Sequence, residues 1–340
     1  MRFKNGQWTA ISLLALMAAS PVYAKTPVKA PTPLYRYVNP LVGVGNDNEG
    51  DTVPGPALPG GSIHPSPETL TGSNAGYDPA APLSGFAQLH TQGSGGITTY
   101  GTFLLSPQVG APQFDEPQHL SPKADEQVAA DRYAVTLTRY NTKVEVTPAH
   151  YAAIYRLTYP DTDAADLVFD VTRKIQGVVA SDNAEVWLYP AEGKIIGRVK
   201  AKGYWNPALV DIWFCAKLSV KPKAWGVVKD GTVLAGETNA RTGTDQRLGA
   251  WWSFDAKAAQ PVLVKMAVSF TSAQKAEALL DQDIPAWDFD GVQKTAQDLW
   301  NQELNRVAIS GVDDKALTRF YTALYHTAIQ PRDRTLDQPD

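Results

Sequence analysis

The chain has 340 residues, with 31 Lys+Arg against 35 Asp+Glu and a formal net charge of −4. That balance excludes a dedicated nucleic-acid binder, which needs a concentrated basic face. An apolar content of 44%, with 9 Trp, 14 Tyr and 10 Phe, excludes wholesale disorder, and at this length two domains are the expectation.

In chain order, residues 1–24 read as a signal peptide. Arg2 and Lys4 supply the positive start, Ile11 to Ala19 the short apolar stretch, and Ala24 the small residue before cleavage. No later apolar run reaches the roughly 20 residues that a spanning helix needs, so the expectation is an exported protein, periplasmic or extracellular, without a membrane anchor. Residues 25–34 are Pro-rich and read as a linker. From Tyr35 to Pro107, Gly, Pro, Ser, Thr and Asn dominate, which predicts long loops crossed by short strands.

From Tyr133 the texture changes. Short runs rich in β-branched and aromatic residues follow one another: Tyr133–Tyr140, Lys143–Thr147, Ala153–Tyr159, Asp166–Val171, Glu185–Tyr189, Ile195–Lys200, Asp211–Val220, Val233–Gly236, Ala250–Phe254 and Val262–Phe270. Their spacing predicts a mainly β fold, an antiparallel β-sandwich over residues 35–270. The lone Cys215 lies in one of these runs and reads as a buried, inert thiol. In Trp251-Trp252, alternation sends one ring to each face of its strand, so loop, helix or ligand must cover one of them.

After Phe270 the apolar period becomes helical. Ser272 is placed to cap a helix through Leu280, and Asp288 to cap a second carrying Val292, Ala296, Leu299, Trp300 and Leu304 on one side. A third, from about Asp314 to Ile329, carries a wide apolar stripe from Leu317 to Ala328. The expectation is a helical linker over 271–312 and, over 313–340, the first helix of a truncated helical domain, with an apolar face left to promote aggregation.

Absences narrow the chemistry. The five histidines show no metal-binding spacing, and there is neither a Gly-x-Ser-x-Gly elbow nor a phosphate-binding Gly-Lys-Ser/Thr loop. Two loops stand out instead. Val42–Pro59 combines four glycines with Asp47, Glu49 and Asp51, suited to sugar hydroxyls or a hard cation, or equally to a solvated acidic turn. Gly85–Gly101 sets His90 beside Gly93, Gly95 and Gly96, at a pocket rim or as a structural hydrogen-bonder. The tryptophans Trp187, Trp205, Trp213, Trp225, Trp251 and Trp252 suit sugar stacking, although core packing explains most of them. No carboxylate pair among Asp47, Glu49, Asp78 and Asp170 can be nominated as acid and base.

Taken together, the motifs Tyr37-Val38-Asn39-Pro40-Leu41-Val42-Gly43, Asp51-Thr52-Val53-Pro54-Gly55-Pro56, Ser66-Pro67-Glu68-Thr69, Gly76-Tyr77, Gly85-Phe86 with His90, Gly93 and Gly95, and Tyr100-Gly101 resemble the opening of glycoside hydrolase family 92. The similarity continues through Tyr155-Arg156-Leu157-Thr158-Tyr159-Pro160, Ile284-Pro285-Ala286-Trp287-Asp288-Phe289 and Phe320-Tyr321-Thr322-Ala323-Leu324-Tyr325-His326. The family comprises calcium-dependent exo-acting α-mannosidases. The resemblance implies an N-terminal sandwich joined by helices to an (α/α)₆ barrel, inverting hydrolysis of terminal α-mannose, and Ca²⁺ in the full-length enzyme. It implies mannose-containing glycans as partners, with acid and base beyond Asp340, so no catalytic residue is assigned in this chain. It transfers a substrate-binding wall of Asp51, Thr52, Pro54, Gly55, His90, Gly93 and Gly95. Gly60-Gly61 and His64 depart from the usual family residues, which bears on linkage preference. A non-catalytic carbohydrate-binding sandwich is the alternative, and a scaffold docking a partner through its last helix is a third reading.

Overall fold

The computed structural model describes residues 32–45, 52–70, 75–90, 101–173, 175, 180–202, 208–258 and 260–339. The predicted signal peptide (1–24) and most of the predicted linker (25–34) lie outside them. Among the described residues there are sixteen strands. They are β1 (Ser66–Thr69), β2 (Leu83–Ala87), β3 (Leu104–Val109), β4 (Lys123–Val128), β5 (Tyr133–Leu137), β6 (Thr142–Pro148), β7 (Ala152–Thr158) and β8 (Thr162–Asp170). There follow β9 (Ala180–Tyr189), β10 (Lys194–Lys202), β11 (Val210–Leu218), β12 (Ala224–Lys229), β13 (Thr232–Ala235), β14 (Asn239–Arg241), β15 (Leu248–Ala256) and β16 (Val262–Ser269).

The strands form two antiparallel sheets. The smaller has seven strands in the order β1-β2-β3-β8-β15-β12-β13, and the larger nine in the order β14-β9-β10-β11-β16-β7-β6-β5-β4. One continuous core fills the space between them, with Phe86, Tyr133, Tyr155, Phe169, Phe214 and Trp252 among its largest members. Burying each such ring stabilises the fold by about 1.5–3 kcal/mol. Phe169 and Phe214 stack at 6.1 Å across the two sheets. Trp252 enters this core, whereas Trp251 faces outward and is covered by Phe114 from the loop before the one-turn helix α1 (Glu116–His119). The link between β12 and β13 is Asp230-Gly231, with φ of 45° and 77°, the left-handed pair that a two-residue hairpin requires.

The helices begin at their predicted caps. The Ser272 hydroxyl accepts from Lys275 N at the start of α2 (Ala273–Asp283), and Asp288 accepts from Gly291 N at the start of α3 (Phe289–Leu304). Helix α2 lays Ala276 and Leu280 on the outer face of the nine-stranded sheet, over Ile154, Ile196 and Cys215. Cys215 is fully buried, and burial pushes its thiol up to about 12, so it is inert.

Helix α4 (Asp314–Ala328) departs from expectation. Its apolar stripe has partners within this chain: Tyr321, Tyr325 and the following Ile329 pack on Trp300 and Leu304 of α3, and on Tyr35 and Val38 at a short 3-10 helix, Leu34–Tyr37. Leu317, Phe320 and Leu324 remain half-buried, so the face predicted to be bare is largely covered. Periodicity found the stripe but could not show that the segment Leu34–Val38 folds back over it.

Candidate functional site

The site grows from the loop before β1. Thr52 ties this loop to its neighbour, its amide donating to Gly43 O (3.3 Å) and its hydroxyl to Val42 O (3.3 Å). Pro54 and Gly55 are buried. Gly55 lies so close to the start of β1 that a Cβ would stand 1.9 Å from Pro65 O, which makes glycine obligatory there. Its amide donates to Ser66 Oγ (3.2 Å), and its carbonyl accepts from His64 Nε2 (2.8 Å). Burial, reinforced by the charges of Arg332 and His90, holds the His64 imidazole well below its ordinary pKa, so it is neutral and Nε2 carries the donated proton.

His90 extends the chain of bonds. Its Nδ1 donates to His64 O (2.7 Å), and its Nε2 lies in hydrogen-bond contact with Glu68 Oε1 at 2.5 Å. The second Glu68 oxygen accepts from Arg173 Nη1 (2.6 Å), while Arg173 Nη2 reaches Glu116 Oε1 (3.0 Å) and Thr69 O (3.2 Å). Glu68, His90 and Arg173 are all at most 2% exposed. Against the cost of its own burial, Glu68 and Glu116 hold the Arg173 guanidinium firmly protonated, and its charge in turn overcomes the burial of Glu116 and lowers that carboxyl. Two carboxylates around one buried guanidinium, with Nε, Nη1 and Nη2 each bonded, make a connected polar core.

Of the residues predicted to wall the site, Gly55 and His90 are thus brought together through His64, with Thr52 and Pro54 leading into the same loop. Asp51, Gly93 and Gly95 lie outside the described residues, as do Asp47, Glu49 and Trp205. His90 is a fully engaged hydrogen-bonder, and its two ring nitrogens serve the protein interior. Sequence reasoning assigned no role to Glu68, although it stands in a quoted motif, and passed over Arg173, Glu116 and Arg332. A buried arginine carries no local signature that separates it from a solvated one.

Trp187 and Trp213 stack on each other at 6.3 Å on the outer face of the nine-stranded sheet, with Arg198 over Trp213. Asp170 is buried in an ion pair with Arg247; burial pushes its carboxyl up to about 6, and Arg247 opposes the shift. A cleft of about 470 Å³ opens beside the site loop, where Leu58 meets Pro148, His150, Ile284, Val292 and Leu299. Among the described residues no three His, Cys, Asp or Glu side chains stand together as a cation would require. Glu68 and Glu116, the buried carboxylates nearest the site, are both committed to Arg173, so the described residues do not fit a calcium centre.

Two antiparallel sheets thus pass their loops to a C-terminal helical segment, with a buried polar network beside it. Residues 37–269 match the glycosyl hydrolase family 92 N-terminal domain, and residues 275–340 match that family's catalytic domain. The chain belongs to glycosyl hydrolase family 92. Among solved structures it is similar to a family 92 α-mannosidase from Bacteroides thetaiotaomicron, with 27% identity and a TM-score of 0.79 over 88% of this chain and 42% of that one. An inverting mannosidase of the same family and organism shares the fold, at 23% identity and a TM-score of 0.79 over 90% of this chain and 41% of that one. An uncharacterized secreted glycosidase from Arthroderma benhamiae is 24% identical, over 89% of this chain and 42% of its own length. The chain thus spans about two fifths of these relatives.

Proposed function

We propose that this chain is the sugar-wall-forming portion of an exported α-mannosidase that removes terminal α-mannose with inversion, assisted by calcium. What carries the reading is that one chain matches both halves of the family, 37–269 and 275–340. Its likeness to an enzyme named an α-mannosidase supports the substrate class. Domain limits of 35–270 for the sandwich, 271–312 for the linker and 313–340 for the opening of the catalytic domain belong to this reading. So does a wall of Asp51, Thr52, Pro54, Gly55, His90, Gly93 and Gly95. Inversion needs two carboxyls roughly 6.5–9.5 Å apart on opposite faces of the sugar. In this proposal they come from the part of the family fold that the 340 residues do not span. The residues described above act before chemistry, by holding the Gly55, His64 and His90 backbone in one arrangement. A free-standing sugar-binding sandwich is disfavoured by the catalytic-domain match. Export agrees with a relative described as secreted, and no helix among the described residues is long and apolar enough to cross a membrane.

The test is to express the gene product at the length of its relatives and follow α-mannoside hydrolysis by NMR. Release of mannose with the β-anomer formed first is expected. No mannose released, or the α-anomer first, overturns the reading.

A further inference from the structure

After α4 the chain runs back across the sandwich as a strap. Gly60 N donates to Ala328 O (2.8 Å) and Asp333 N to Gly60 O (2.8 Å). Further along, Leu336 N donates to Tyr151 Oη (3.0 Å), and the buried Asp337 carboxylate accepts from Ser269 Oγ (2.5 Å) and Phe270 N (2.7 Å). Within the strap, Arg332 reaches into the site: Nη1 donates to Ser62 O (3.3 Å) and Nη2 to His90 O (2.5 Å). Those carbonyls belong to two separate segments, the loop that carries Gly55 and His64 and the one after β2 that carries His90. The side chain of His90 is already bonded to the His64 carbonyl, so the guanidinium closes a ring of contacts around this point.

We propose that Arg332 is a positioning residue of the mannosidase site, setting the spacing of the His64 and His90 loops through their backbone carbonyls. The inference rests on the mannosidase reading for its functional consequence and on the geometry for the placement. A guanidinium is planar and presents parallel donors, so one side chain fixes two carbonyls relative to each other. A lysine keeps the charge but not the fork, and cannot set both distances. Because the strap belongs to the segment matching the catalytic domain and the carbonyls to the segment matching the N-terminal domain, Arg332 transmits the placement of one to the other.

The experiment uses the gene product at its relatives' length, as wild type, R332A and R332K. Hydrogen exchange is read on peptides spanning 52–64 and 83–90, and α-mannoside kinetics below the unfolding range. Faster exchange in both peptides is expected in both variants, with kcat/KM lowered about tenfold, the scale of one lost charge-assisted hydrogen bond. Millimolar guanidinium should restore part of the R332A rate but leave R332K low. Unchanged exchange in either peptide overturns the placement, whether or not the protein hydrolyses mannosides. An active wild type whose variants keep kcat/KM within twofold overturns the functional role, while an inactive wild type overturns the mannosidase reading and with it that role.

Discussion

Glu68 bridges His90 and Arg173, giving one carboxylate oxygen to each from a fully buried position. Glu68→Gln leaves the size unchanged but removes the charge facing Arg173, and breaking one side of a buried pair of this kind costs about 3–5 kcal/mol. A drop of that size in urea unfolding free energy is expected, and a change below 1 kcal/mol would mean the network is not stabilising. Asp166 presents the opposite case. It is fully buried on β8, neither oxygen meets a partner at hydrogen-bond geometry, and burial pushes its carboxyl up to about 7 against smaller opposing effects of Ser253 and Lys223. An acid with a raised folded pKa binds its proton more tightly when folded. Its contribution is therefore intact below about pH 4, the unfolded value, and is lost as pH rises through about 7. Asp166→Asn should remove that part of the pH dependence and make the protein about 1–3 kcal/mol more stable at pH 8, the scale of a buried unpaired polar group. Thermal unfolding from pH 4 to pH 8 checks it, and parallel curves for parent and variant would refute it.

At the level of elements, the sequence was most readable where one local device decides the outcome. Ser272 and Asp288 mark the starts of α2 and α3 because a side-chain oxygen before an amphipathic run has a fixed task. The runs from Tyr133 to Phe270 correspond to strands within a few residues, since β-branched alternation survives burial on one face. β1, β2 and β3 were less legible: they are buried almost throughout, and their Ser, Pro, Gly and Glu content looks like loop until the network at Glu68 is seen. β4, Lys123–Val128, was missed because its mixed charges look like solvated surface. β12 was missed although Asp230-Gly231 announces a hairpin after it. The site was legible only as far as Gly55 and His90; their partners come from distant parts of the chain, which spacing cannot connect. Trp300 shows how such links are made: its Nε1 donates to Ala57 O (2.7 Å) while its ring packs on Tyr325. Trp300→Ala should cost about 3–5 kcal/mol and loosen the loop that carries Gly55. Calorimetry with exchange on residues 52–64 would show it, and an unloosened loop would contradict the link.

For the molecule as a whole, the sandwich and its docked helices are held by apolar packing and by ion pairs internal to the protein. Nothing in the described network asks for a cation, whereas the proposed activity does. Chelation should therefore leave the unfolding temperature of the 340-residue chain unchanged and abolish mannose release by the gene product at its relatives' length. A fall in the unfolding temperature would place a structural metal within residues 1–340, and activity surviving full chelation would remove calcium from the proposal.

The strap also fixes an order of events during synthesis. Ser62 and His90 emerge from the ribosome early, yet the donors that hold their carbonyls belong to Arg332, and Asp337 closes the last contacts. Contacts so distant along the chain cannot form until nearly all the intervening residues have been made, so they come late however fast the hairpins assemble. The two sheets can pair strand by strand as the chain appears, but the loops at the candidate site wait for the helices. The loops of the candidate site are the last part of the sandwich to become rigid.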